Sequence, residues 1–279
     1  MRNTDCNGWP HAQAVRTKCV RDDFGRLHPP AFSDGCGPIG MYAMIASRGA
    51  CACCGQAMRE ANVHTLRWCA SAFDEFLEAA CEGLDADKAR LLRRGCHFAS
   101  EESWHTCVSI FHEHPSMLSA EERVDWRPVD LSLEAALSSK LRERLKTMAA
   151  PLLSLDSLLI TKDGALIAGF VDDERGAFGA LREAATALGQ LVIGGRLTSR
   201  PKRLIHVTLG RVLDCPPLDD VQRTHVEHTV RRFNQHVLPA RVRSRASTLL
   251  LSTVSFARDT VWWMTEYKEM ETIILRSPE

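Results

Sequence analysis

Residues 203–212 read RLIHVTLGRV and form the most informative strand candidate in the chain. Side chains alternate between the two faces of a β-strand, so Leu204, His206, Thr208 and Gly210 share one face. A face that only filled an apolar core would not need an imidazole beside a hydroxyl, because buried polar groups require hydrogen-bond partners. The run therefore predicts a strand whose polar face meets a partner from elsewhere in the chain.

A second strand candidate, SWHTCVSIF at residues 103–111, has the same pattern. Alternation places His105, Cys107 and Ser109 on one face and Thr106 on the other. Shifting the register to use Thr106 would turn its hydroxyl to the wrong face. Both strands thus offer a histidine followed, two positions later, by a small side chain.

The rest of the chain predicts an α+β domain with mainly antiparallel strands, because strand and helix patterns do not alternate strictly. Its 279 residues are 45% hydrophobic and 25% charged, which is typical of a globular protein. Residues 1–21 are predicted to be a flexible tail and residues 22–279 a single domain. Predicted strands cover 41–47, 103–111, 155–162, 165–172, 204–213, 248–256, 260–267 and 270–275, and predicted helices cover 56–82, 131–149, 177–192 and 219–237. Asp130 is the expected N-cap of the second helix, Asp163-Gly164 is the expected hairpin turn, and residues 85–95 and 112–130 are expected to be connections.

The charges limit the class of partner. Lysine plus arginine and aspartate plus glutamate both number 35, so the chain has no bulk positive field for nucleic acid or an anionic membrane. No apolar run is long enough to span a bilayer, and residues 1–13 lack a secretory signal pattern. The expected location is the cytoplasm, with the basic residues before position 22 leaving organelle import open. The 11 cysteines are then expected to be reduced thiols.

The two histidine strands resemble the motifs of the 2H phosphoesterases. That family has a LigT-like fold, in which two pseudo-symmetric lobes each contribute one His-x-Thr/Ser strand to a central cleft. HVTL at 206–209 matches the motif fully, whereas HTCV at 105–108 matches it in the histidine but not in the hydroxyl. The order of elements is also similar, over roughly residues 22–276. The resemblance implies a cyclic phosphodiesterase or 2′-5′ RNA ligase-like activity on a nucleotide or RNA end, without a cofactor or metal.

The chemistry fits that resemblance. Opening a cyclic phosphodiester requires a base to deprotonate water and an acid to protonate the departing oxygen, and two imidazoles can do both. His105 and His206 would be the acid/base pair, in either order, and Thr208 would hold a non-bridging phosphate oxygen. Cys107 stands where the family has Thr or Ser, and a thiol is a weak donor. Either other groups such as Ser109 hold the phosphate, or turnover is slow, or the chain is a non-catalytic nucleotide or RNA-end binding protein.

Weaker candidates surround these residues. Arg211 and the basic turn at 198–203 could steer an anion toward the second motif. Trp263 and Tyr267 share a strand face, and either ring could stack on a base. Cysteines and a histidine in residues 51–69 are of the ligand types that bind structural zinc, although their spacing is irregular: Cys51, Cys54, His64 and Cys69.

Overall fold

The computed structural model describes residues 37–46, 55–115, 118–161, 164–194, 204–212, 218–242, 247–260 and 267–277, with the short pieces 20–21, 27–28 and 31–32. The strands are Val20–Arg21 (β1), Leu27–His28 (β2), Ile39–Met44 (β3), Cys96–Phe98 (β4), His105–His112 (β5), Leu152–Ile160 (β6), Ala165–Asp172 (β7), Ile205–Val212 (β8), Thr248–Leu250 (β9), Thr253–Asp259 (β10) and Tyr267–Ile274 (β11). The helices are Gly55–Cys81 (α1), Ala86–Gly95 (α2), Ala120–Val124 (α3), Leu131–Leu145 (α4), Ala177–Ile193 (α5), Asp220–Arg232 (α6) and Leu238–Val242 (α7). A π-helical turn, Phe233–Val237, joins the last two helices.

One mainly antiparallel sheet carries the fold. Its strands follow the order β11-β10-β3-β5-β8-β7-β6-β9, and β4 pairs separately with β8. The two motif strands β5 and β8 are therefore neighbours at the centre of the sheet. Three further strands of this order lie beyond each of them. The predicted α+β class with antiparallel pairing is confirmed.

The sheet is curled. Strand β9 lies at one end of the sheet and β10 lies next to the other end, yet only residues 251–252 separate them in sequence. The backbone N–H of Leu275 donates to the carbonyl of Ser252 at 2.9 Å, and that of Ala150 donates to the carbonyl of Arg276 at 2.8 Å. A two-residue connection cannot cross a flat sheet, so the two ends must approach each other.

Helices α1 and α5 pack on one face of this sheet. Met41, Val207 and Phe256 point to that face and are fully buried in a cluster with Leu66 of α1 and Leu181 of α5. The opposite face carries two smaller apolar clusters, one around Tyr42 and Met44 and one around Leu159 and Ile167. We call this opposite side the motif face, because the two histidine motifs lie on it, as described below.

Local signals account for several element boundaries. The Asp130 side chain accepts a hydrogen bond from the N–H of Leu133, so the predicted N-cap of α4 is confirmed. Gly164 has φ of 83°, which is the left-handed conformation that glycine supplies after a hairpin turn. Helix α1 continues through Asn62, whose amide pairs with both the N–H and the carbonyl of Leu250 and thereby closes the edge of β9.

The structure corrects three sequence expectations. Residues 86–95 form α2 rather than a connection, because Asp85 accepts from the N–H of Lys88 and caps the helix. The expected loop 112–130 contains α3, which begins at a capping box of Ser119 and Glu122. The expected single strand 248–256 is divided between β9 and β10, which lie near opposite ends of the sheet.

Other expectations lie partly outside the described ranges. Residues 1–19 and 22–26 are among those not described, so the division between tail and domain stays a prediction. In the part of the chain that the structure describes, no helix has both the length and the apolar character needed to cross a membrane. Cys69 and Cys81 are buried thiols, and burial raises the pKa of Cys69 to about 12.

Candidate active site

The two motif strands pair through the residue that stands, in each motif, between the histidine and the small side chain. Thr106 of β5 lies directly opposite Val207 of β8 in antiparallel register. Both side chains are fully buried on the helix-covered side, together with Ala43 and Ala168 on the adjoining strands. Because opposed residues share a face and successive residues alternate, the residues before and after this pair lie on the motif face.

Four side chains are thereby brought together on the motif face. Continued by one residue in each direction, this register brings His105 toward Thr208 and Cys107 toward His206. A local twofold axis through the Thr106–Val207 pair relates His105 to His206 and Cys107 to Thr208. All four residues are half-buried, whereas Thr106 and Val207 are not accessible, so the motif face is the open one.

The neighbouring strands β3 and β7 flank these four side chains. Met44 and Tyr42 of β3 lie opposite His105 and Cys107, respectively. Gly169 and Ile167 of β7 lie opposite His206 and Thr208. The surroundings of the two imidazoles are therefore mainly apolar.

His105 is held in a defined orientation. Its Nδ1 lies 2.7 Å from the carbonyl oxygen of Ser103, which ends the 3₁₀ turn Glu101–Ser103 just before the strand. The acceptor is a carbonyl, so Nδ1 carries the proton and Nε2 keeps its lone pair. The Tyr42 ring contacts the imidazole edge-on, with 5.2 Å between the ring centroids and 83° between the planes. Burial lowers the pKa of His105 to about 4, and the bond to Ser103 opposes that shift.

The low pKa of His105 predicts a pH dependence. The folded pKa of about 4 lies below the ordinary value of 6.5. Between these two pH values the imidazole is therefore less protonated in the folded state than in the unfolded state. The contribution of His105 to stability is fully present above about pH 6.5 and is lost as the pH falls through about 4. An NMR titration of the His105 imidazole should show a midpoint near 4, and a midpoint at or above 6.5 would contradict the burial of this ring.

Arg211 also lies on the motif face, for a reason that alternation alone does not give. Ile167 pairs with Thr208 and Leu166 pairs with Gly210, so Leu209 is an extra residue in β8. This β-bulge shifts the alternation and places Arg211 opposite Ala165, on the side of Ile167 and Thr208. Arg211 and its other neighbour, His97 of β4, supply basic groups beside the second motif.

Gly210 allows β4 to approach β8 closely. A Cβ atom at this position would lie 2.4 Å from the carbonyl oxygen of His97. No side chain can be accommodated at that distance, so the glycine of the HVTLGR run serves the pairing of β4 with β8.

Ser109 is turned away from the motif face, which corrects the sequence expectation. Met41 pairs with Ser109 and Tyr42 pairs with Cys107, so Val108 is an extra residue in β5. Beyond this bulge Ser109 is buried on the helix side, with its hydroxyl 3.2 Å from that of Thr186 in α5. Ser109 therefore does not lie with Cys107 and cannot replace the missing hydroxyl there.

Of the two aromatic candidates, Tyr267 and Trp263, the structure describes Tyr267. Tyr267 is half-buried and packs against the motif-face cluster that includes Tyr42, Met44 and Ala257. Burial is the main cause that raises the pKa of Tyr267, with smaller contributions from Glu269 and Glu102. Trp263 lies outside the described residues.

Sequence reasoning missed Tyr42 and Ser157. Tyr42 is buried beside His105 and Cys107, and burial, followed by the charge of Asp259, raises its pKa well above the usual value. Ser157 pairs with Gly169, and its hydroxyl would be only 2.7 Å from a Cβ at that glycine. Ser157 thus leans across Gly169 on the side of His206. Gly169, a glycine inside a strand, was the signal that could have pointed to this close approach.

The described residues contain no group of three or more His, Cys, Asp or Glu side chains arranged to hold a metal ion. His64 and Cys69, two members of the sequence-predicted zinc pattern, lie on the long helix α1. Cys51 and Cys54 lie outside the described residues, so the zinc hypothesis stays a prediction.

Comparison of the fold with solved structures returns several similar proteins. LigT from E. coli in complex with 3′-AMP is 13% identical, with a TM-score of 0.42 over 86% of this chain and 98% of that chain. A protein from Thermus thermophilus is 14% identical, with a TM-score of 0.43 over 87% of this chain and 100% of that chain. A conserved protein of unknown function from Agrobacterium tumefaciens is 13% identical, with a TM-score of 0.44 over 91% of this chain and 96% of that chain.

By sequence, no known family and no curated protein matches this chain. At identities of 13–14%, the activity has to be inferred from the chain's own residues.

Proposed function

We propose that this chain is a 2H-type phosphoesterase that hydrolyses a cyclic phosphate or a 2′-5′ phosphodiester of a nucleotide or RNA end, using two histidines and no metal. The observation that supports it most is the register of β5 and β8, which places His105 and His206 at equivalent positions about a local twofold axis. In an antiparallel pair the backbones of such diagonal neighbours are about 7–8 Å apart, a spacing at which one phosphate could lie between the two side chains.

The geometry favours His105 as the general base for hydrolysis. Its Nδ1–H is engaged by Ser103, so Nε2 is the atom able to take a proton from water. The water oxygen attacks phosphorus, the bond from phosphorus to the ribose oxygen breaks, and His206 as an imidazolium protonates that oxygen.

The negative charge of a bound phosphate would raise the pKa of His105 from about 4 toward the working pH. The acid limb of kcat should therefore lie at higher pH than the acid limb of kcat/KM.

Charge and apolar surface are distributed to suit a nucleotide. Thr208 would donate its hydroxyl to a non-bridging phosphate oxygen, and the cation of Arg211 would attract the anion from the β7 side. On the β3 side, Tyr267 and the surrounding apolar cluster offer a surface on which a base could stack. The substrate would thus lie across the central strands, with its phosphate between the histidines.

The direct test is turnover of 2′,3′-cyclic nucleotides by the purified full chain in the presence of EDTA. Hydrolysis that persists in EDTA and saturates with substrate supports the proposal. If the chain binds the nucleotides but releases no phosphomonoester, the alternative is favoured, namely a nucleotide or RNA-end binding protein on the same fold. Cys107 is the observation that keeps this alternative in view.

Exchanging the Cys107 thiol for a hydroxyl tests whether that position limits the rate. Cys107→Ser keeps the size of the side chain and supplies a stronger donor at the position equivalent to Thr208, so kcat/KM should rise about tenfold, the value of one ordinary hydrogen bond of about 1.4 kcal/mol. Cys107→Ala is the matched control and should leave kcat/KM close to that of the native chain. Equal rates for the Ser and Ala variants would show that no hydroxyl is needed there.

A further inference from the structure

The junction between the two motif strands is narrow. Strands β5 and β8 each contain 8 residues and pair with their outer neighbours, β3 and β7, along most of that length. Between each other, in the described chain, they share the pair Thr106–Val207 alone. The relative position of the two histidines therefore depends on a junction with little backbone pairing.

The side chain of Arg182 spans this junction from the helix-covered side. Its Nη2 donates to the carbonyl oxygen of Cys107 at 2.9 Å and to that of Leu204 at 2.9 Å. Cys107 belongs to the first motif, and Leu204 directly precedes β8 and the second motif. One guanidinium thus ties together backbone from both halves of the sheet where the ladder bonds end.

The packing around Arg182 holds the guanidinium in place. Its Cζ lies 4.6 Å from the ring centroid of Phe178, one turn earlier in α5, and that ring is fully buried. The carboxylate of Asp172 accepts from the N–H groups of Phe178 and Gly179, which fixes the start of the helix. Burial lowers the pKa of Arg182, while electrostatic interactions with Cys107 and Asp172 oppose that shift. A planar guanidinium can serve two acceptors at once in a fixed geometry, which an ammonium cannot do as well.

We propose that Arg182 is a positioning residue that sets the spacing between the His105 strand and the His206 strand and places a positive charge behind the backbone of Cys107. Its catalytic consequence rests on the proposed function, whereas its structural consequence does not. A shift of about 1 Å between reacting groups can lower a rate on the order of 100-fold, so a small opening of this junction would be visible in turnover.

The kinetic test compares Arg182→Gln and Arg182→Lys with Arg142→Gln. Arg142 of α4 is a matched control, because its guanidinium also joins a helix to the sheet, through Glu271 of β11, but far from the junction. We expect Arg182→Gln to lower kcat about 30- to 100-fold with KM changed less than about threefold. Arg182→Lys should recover part of kcat, and Arg142→Gln should leave both constants unchanged. Equal kcat for Arg182→Gln and the native chain would overturn the proposal.

A second measurement does not depend on activity. Amide hydrogen exchange at residues 105–108 and 205–208 should become about tenfold faster in Arg182→Gln, with no change in Arg142→Gln. Unchanged exchange there would overturn the positioning role even if kcat fell. If the native chain shows no turnover, the proposed function fails, but faster exchange confined to these two segments would still support Arg182 as the tie across the junction.

Discussion

Replacing His105 with alanine is expected to lower kcat for a 2′,3′-cyclic nucleotide by about 10²- to 10⁴-fold, and His206→Ala should do the same. Each substitution removes one partner of a proton-transfer pair, so neither remaining imidazole can both deprotonate water and protonate the ribose oxygen. KM should change little, because the phosphate would still be held by Thr208 and Arg211. Initial rates with each purified variant, measured in EDTA, give the comparison.

His228→Ala provides the control for these variants. His228 lies exposed on α6, away from the central strands, so this substitution should leave both the rate and the melting temperature unchanged. The double variant of His105 and His206 should be only slightly slower than either single variant, since groups that act as a unit are not additive. Undiminished turnover in either single variant would remove that histidine from the mechanism.

Thr208→Val is expected to lower kcat by about 10²- to 10³-fold, the usual cost of losing one donor aimed at a developing charge. Valine keeps the β-branched shape and can pack against Ile167 on β7, so the strand and its register should persist. The effect should fall mainly on kcat, because the hydroxyl contributes most when charge accumulates on the phosphate oxygens. The asymmetry with Cys107 makes this test informative, since Thr208 is the one hydroxyl among the four motif side chains.

Thr248→Val is a suitable control for the threonine substitution. Thr248 is a half-buried strand residue of β9, at the end of the strand order. Its replacement should change neither kcat nor KM. If Thr208→Val raised KM and left kcat unaltered, the hydroxyl would bind the substrate and the transition state equally, and another donor would have to stabilise the reaction.

Ser109 and Arg211 show where sequence reasoning reached its limit. Both are displaced by β-bulges, one at Val108 and one at Leu209, and each bulge exchanges the faces of the residues beyond it. The run around Val108 contains no glycine or proline to mark the extra residue. Strict alternation was therefore correct for His105 and Cys107, which precede the first bulge, and wrong for Ser109, which follows it.

Helix α2 and the division of residues 248–256 illustrate two other causes. The cap at Asp85 was present in the sequence but was hidden by the surrounding charges, so a helix was missed. No glycine or proline in the run 248–256 marks a boundary between β9 and β10. Only the curl of the sheet, which brings its two ends together, decides that the chain must change partners at residues 251–252.

The motif strands, the main helices and the caps follow from local chemistry, because a two-residue period, a capping carboxylate or a turn glycine acts within a few positions of the chain. The pairing of Thr106 with Val207, the tie made by Arg182 and the two bulges depend on contacts between residues far apart in sequence. Those contacts form only when helices on one side of the sheet fix the register. Alternation could thus identify His105 and His206 as candidate site residues. The packing of β5 against β8 and α5 places them on one face.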